Sequence, residues 1–89
     1  MHQDIIDAIT HGRVLRFTYD GEDRWVEPHY YGKDTKGHDA LRAFQRDKGW
    51  RLFHTSKIAR VVWDGTKFSG NRPGYSGHDK AMVSTYARR

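Results

Sequence analysis

The chain has 89 residues, with 16 Lys and Arg against 11 Asp and Glu, a formal charge of +5, 36% apolar residues and no cysteine. A domain of that size buries about 60 to 65% of the surface its unfolded chain exposes, enough for one compact core and too little for a large enclosed active site. The missing cysteines exclude a disulfide framework, a thiolate nucleophile and Cys-ligated zinc, and no apolar run reaches the roughly 20 residues of a membrane span. Residues up to Ile9 include two Asp where a signal peptide has a basic start, so the expected location is the cytoplasm. Up to Ala40 there are five Lys and Arg against eight Asp and Glu, and from Leu41 on eleven against three, so the halves carry −3 and +8. A basic half of this kind attracts phosphates, nucleotides or anionic surfaces.

In chain order, Ile5, Ile6 and Ile9 stand at helical spacing with Asp4 and Asp7 in the early turns, which predicts a short amphipathic helix ended by Gly12. Val14 to Tyr19 alternates as a strand, Asp20-Gly21 is a hairpin turn, and Arg24 to Glu27 is the return strand. Pro28 either ends that strand or marks an edge or bulge, and Tyr30 and Tyr31 can resume it. After the polar turn Lys33 to Gly37, Asp39 to Arg46 is a third strand, Asp47-Lys48-Gly49 a turn, and Trp50 to His54 its partner. Ile58 to Trp63 is strand-like up to a second turn at Asp64-Gly65, and Lys67-Phe68 adds a short final strand. Residues 69–77 form a loop or linker, with three Gly, one Pro and two Ser. Ser76-Gly-His-Asp79 fits a capping box, which predicts a C-terminal helix over residues 78–89 with Ala81, Met82, Tyr86 and Ala87 on one side. The whole is mainly β in an α+β setting: residues 1–68 form a closed or half-open barrel of about five strands with an N-terminal helix, followed by the linker and the C-terminal helix.

Chemistry is sparse along this chain. His2, His11, His29, His38, His54 and His78 show no paired metal-ligand spacing, and the His38-Asp39 and His78-Asp79 pairs fit a turn and a helix start, so no metal and no cofactor are expected. Glu27 as a base, or Ser56 with His54 as a nucleophile pair, lacks an oxyanion loop or elbow, and no phosphate-binding glycine string occurs; the expectation is a protein that is not an enzyme. Arginines and aromatics interleave on the strands instead. Arg42, Phe44 and Arg46 share one face, Arg51 and Phe53 share a face of the next strand, and Arg24 and Trp25 lie on the earlier hairpin. Such side chains either stack on bases and hold phosphate, or place Phe44 and Phe53 in the core and leave the arginines solvated.

The blocks Arg13-Val-Leu-Arg-Phe-Thr-Tyr19, Arg24-Trp-Val-Glu-Pro28, Leu41-Arg-Ala-Phe44 and Arg51-Leu-Phe53, running on to Lys57-Ile58, resemble in order and spacing the WYL domain. Similarity covers residues 5–68, and the tail from Arg72 to Met82 is similar to the end of short stand-alone members. The resemblance implies a small SH3-like or Sm-like β-barrel, found in bacterial transcription regulators and phage-defence proteins as a sensor of nucleic-acid ligands, in some members single-stranded DNA. It makes Arg24, Arg51 and Lys57 candidate ligand contacts, and His54 stands where the family places a second arginine. The name-giving Trp-Tyr-Leu is here Asp39-Ala40-Leu41, and no helix-turn-helix precedes the domain in this sequence. The combined expectation is nucleic-acid or nucleotide binding, single strands favoured, through Arg24, Arg42, Arg46, Arg51 and Lys57 for phosphate, Trp25 or Trp50 for stacking, and His54. The alternative is a protein-interaction module that docks to a regulatory partner or forms a homodimer and has lost the ligand.

Overall fold

A computed structural model describes residues 2–89. Helix α1 (His2–His11) is followed by β1 (Arg13–Tyr19), β2 (Glu22–Asp34), β3 (Asp39–Gln45), β4 (Gly49–His54), a single 3-10 turn (Thr55–Lys57), β5 (Ala59–Lys67) and β6 (Met82–Arg88). The described residues are mainly β, with one helix and one unclosed antiparallel sheet of six strands in the order β4-β3-β2-β1-β5, β6 pairing with β2 off that path.

Local sequence accounts for the first hairpin. Asp20 and Gly21 both have positive φ, 53° and 75°, the backbone of a two-residue hairpin turn, and they set Tyr19 opposite Glu22 and Leu15 opposite Val26. Strand β2 then runs 13 residues without a break, because Pro28 sits at a register shift between Pro28 and Tyr30 where the ladder does not need its missing N–H. Its first half pairs with β1 and its second half, Tyr30 to Asp34, with β6, while β3 runs along the other edge.

Two expectations are corrected here. Asp64-Gly65 is not a hairpin turn: it lies inside β5, at a register slip of two residues between the Leu15–Trp63 and Arg13–Lys67 pairs, so the expected short final strand is the end of β5. The expected C-terminal helix is strand β6. The Asp79 carboxylate accepts the Ala81 N–H at 3.0 Å and its carbonyl accepts the Met82 N–H at 3.0 Å, a turn that launches an extended chain instead of a helix. Val83 and Thr85 are β-branched, and the edge of β2 from Tyr30 to Asp34 needs a partner, so tertiary pairing overrides the helical spacing. Gly32 makes that pairing possible, since a Cβ there would lie 2.1 Å from the Ser84 carbonyl oxygen.

The sheet has a core on each side. Under α1, the buried side chains Ile5, Ala8 and Ile9 meet Leu15, Phe17, Val26, Leu41 and Phe53. Phe53 takes Phe17 and Tyr19 edge-on, each with ring centroids 5.0 Å apart. On the opposite side, which we call the outer face, a smaller cluster of Tyr30, Ala40 and Met82 packs with Leu52 and Tyr75. Between β5 and β6 the chain crosses this outer face as residues 68–81. No helix among the described residues is long and apolar enough to cross a membrane.

Candidate functional site

The register of β3 against β4 sets Arg42 opposite Leu52 and Phe44 opposite Trp50, all on the outer face, whereas Ala43 opposite Arg51 and Leu41 opposite Phe53 point to the α1 side. The arginine-aromatic platform expected from the sequence is therefore divided between two faces. Arg42, Phe44, Arg46 and Trp50 belong to the outer face, and so does Trp25, two residues before Glu27 on β2 and 41% exposed. Arg16, opposite Trp25 on β1, extends the row.

Arg24 stands on the other side, only 5% exposed. Its guanidinium donates to the Gln45 side chain at 3.2 Å and to the Tyr19 carbonyl at 3.3 Å, while its Nε is buried without a partner among the described residues. Arg51 is half-buried with its guanidinium carbon 6.0 Å from the Phe53 ring centre, and Lys57 is exposed in the 3-10 turn; neither side chain makes a hydrogen bond or ion pair among the described residues.

Beneath the outer face lies a polar centre that the sequence reading did not assign. Glu27, 1% exposed, accepts two hydrogen bonds from Arg72 at 2.7 Å each and one from Arg46 at 3.1 Å. The Arg72 bonds hold the Glu27 carboxyl below the usual carboxylate range against the opposing effect of burial, and Arg46 adds to them. Arg72 also lies 4.6 Å over the Phe44 ring. His29 is fully buried beside this pair. Its Nε2 accepts the backbone N–H of Arg72 at 3.2 Å, so Nδ1 carries the proton and donates to the Glu27 carbonyl at 2.8 Å. Burial pushes the His29 pKa below its ordinary 6.5, and the ring is neutral at pH 7. Trp50, Phe68 and Tyr75 enclose the ring, with centroids at 4.8, 5.5 and 5.0 Å.

These contacts pin residues 68–81 onto the sheet and leave a pocket of about 410 Å³ lined by Arg42, Trp50, Gly74, Tyr75, His78, Asp79 and Lys80. Trp50 is fixed by its indole N–H, which donates to the Pro73 carbonyl at 2.9 Å, and it lies nearly parallel to Tyr75 with centroids 6.0 Å apart. Arg42 donates through Nε and Nη2 to Asp79 at 2.7 and 3.4 Å, leaving its Nη1 without a partner among the described residues. Burial raises the Asp79 carboxyl, but the bonds from Arg42 and the Ala81 N–H outweigh it and the group stays ionised. The side chains of Lys80 and Arg16 make no hydrogen bond or ion pair among the described residues.

His54, at the end of β4, is brought beside His38 of the β2–β3 turn and Asp34 at the end of β2. The histidines' lack of paired spacing concealed this, because 16 residues separate His38 from His54 in the chain. Compared with known proteins, the chain matches no family model, no curated sequence and no solved structure.

Proposed function

We propose that this chain is a non-enzymatic binding module of WYL type that takes single-stranded nucleic acid or a nucleotide-like ligand on the outer face, in a sensing or regulatory role. The observation that carries this reading is the interleaving on that face. Trp25, Trp50 and Tyr75 supply rings, while Arg16, Arg42 and Lys80 supply cationic groups with donors not committed to the protein. Aromatic rings hold bases at about 1 to 3 kcal/mol each without sequence preference, and guanidinium groups hold phosphate. The pocket falls within the roughly 300–1,000 Å³ of small-ligand sites, enough for one base with its sugar. The strand order β4-β3-β2-β1-β5 and the 3-10 turn before β5 support reading the curved sheet as an SH3-like or Sm-like barrel.

Fluorescence anisotropy of labelled single-stranded DNA, single-stranded RNA and duplex DNA at about 50 and 200 mM salt tests the proposal through counterion release. Binding of single strands that weakens with salt, and that drops in Trp50→Ala and Lys80→Ala, is expected. Absence of binding at low salt overturns it. Loss in Arg51→Ala with Trp50→Ala unaffected also overturns it, by moving the site to the α1 side. A second reading, pairing with another protein chain, rests on β5, an edge strand with Val62 and Trp63 each 43% exposed.

A further inference from the structure

Asp34, His38 and His54 each offer one ligand atom, and these atoms lie within 4.8 Å of one another. The Nδ1 of His38 is 3.6 Å from Oδ2 of Asp34, and the two imidazole rings are 5.1 Å apart between centroids. Two ligands bound at about 2.1 Å to a tetrahedral ion stand ~3.4 Å from each other, so the Asp34–His38 pair already has the required separation. The His54 ligand atom stands within 4.8 Å of the other two, and a rotation of its half-buried ring would bring it to the same separation.

The carboxylate is held in advance. Its Oδ1 accepts the backbone N–H groups of Lys36 and His38, both at 2.9 Å, which fixes the tight β2–β3 turn and leaves Oδ2 towards His38. Support of this kind from a ligand's second oxygen is what orients metal-binding carboxylates. On the other side, the His54 backbone N–H donates to the Tyr19 hydroxyl at 3.2 Å, and pairing with Ala40 fixes its position on β4.

We infer that Asp34, His38 and His54 form a site for a divalent transition-metal ion of the zinc class, which ties the β2–β3 turn to the end of β4. Two imidazoles and one carboxylate suit Zn²⁺, Co²⁺ or Ni²⁺ and disfavour Mg²⁺ and Ca²⁺, which take oxygen ligands. His38 is exposed, so the fourth position is open to water or to an anionic ligand.

The test uses the untagged full chain, titrated with Zn²⁺ by calorimetry and with Co²⁺ by visible absorption. One equivalent is expected to bind, with the Co²⁺ spectrum of a tetrahedral site and a thermal midpoint raised by Zn²⁺. His38→Ala and His54→Ala each lower the affinity by about ten-fold or more, whereas His11→Ala and His78→Ala leave it unchanged. Both tested histidines lie outside the apolar core, so the variants are expected to fold, and far-ultraviolet circular dichroism checks this. Unchanged Zn²⁺ affinity in the folded His38→Ala/His54→Ala double variant, or no one-to-one binding by the parent chain, overturns the inference.

Discussion

The two faces of the sheet are covered in different ways. Under α1 the core is apolar and aromatic, closing around Phe17, Leu41 and Phe53, each 1% exposed or less, with polar bonds such as His2–Tyr31 at its margin. Across the outer face the cover is an irregular segment held by one buried carboxylate, one neutral histidine and a set of arginines. Apolar packing is non-directional and tolerates no opening. A cover held by directional polar bonds keeps cations at the surface and a pocket beside them, which is why the binding reading falls on the outer face.

The largest effect expected from breaking this contrast is on the α1 side. Phe17→Ala removes a ring that meets Phe53 edge-on and should cost about 3 to 5 kcal/mol, read as a lower denaturant midpoint with the slope unchanged. On the outer face, Glu27→Ala leaves Arg72 and Arg46 without their acceptor and should cost about 2 to 3 kcal/mol, less because both arginines remain partly solvated. Its distinguishing sign is faster proteolysis within residues 68–81 while α1 stays protected. Gly32→Ala is expected to cost about 1 to 3 kcal/mol by driving a methyl group into the Ser84 carbonyl, with faster amide exchange confined to β6.

The smallest effect is on pH dependence. In the fold the His29 pKa lies below 6.5, so between its folded value and 6.5 the unfolded chain binds more protons, and stability falls as pH drops through that window. Glu27 is held below its ordinary 4.5, so a second loss begins as pH falls below 4.5 towards its folded value. Urea titrations from pH 8 to pH 3 should show both declines. His29→Gln should keep only the lower one.

How much of this was legible in the sequence follows the same division. The helix stripe Ile5, Ile6 and Ile9, the Asp20-Gly21 hairpin and the β3–β4 pair are local patterns, set by 3.6 and 2-residue periods and by turn residues. The outer face depends on contacts that only the sheet topology creates. Glu27 and Arg72 are 45 residues apart, and Arg42 and Asp79 are 37 apart. Alternation along one strand shows which residues share its face, but not which face adjoins which across β3 and β4, so Arg42 and Arg51 look alike in sequence although they point to opposite faces. One signal was present: Glu27 and His29 sit in a strand among Val26, Tyr30 and Tyr31, and charged or polar groups in a buried strand require partners from elsewhere. The tail reads as a helix in sequence because Ala81, Met82, Tyr86 and Ala87 fit a helical stripe, while the edge of β2 that pairs with Met82 to Arg88 is invisible in the linear pattern.

The claim that the outer face binds nucleic acid is tested most directly by the three indole N–H signals in a nitrogen–proton correlation spectrum, titrated with a short single-stranded oligonucleotide. Trp25 and Trp50 lie on that face, whereas Trp63 pairs with Leu15 on the α1 side and sits against Arg13, whose guanidinium is 4.5 Å from its ring centre. Movement of the Trp25 and Trp50 signals with Trp63 unchanged is the predicted result. Movement of Trp63 alone, or of none of the three, would contradict the account.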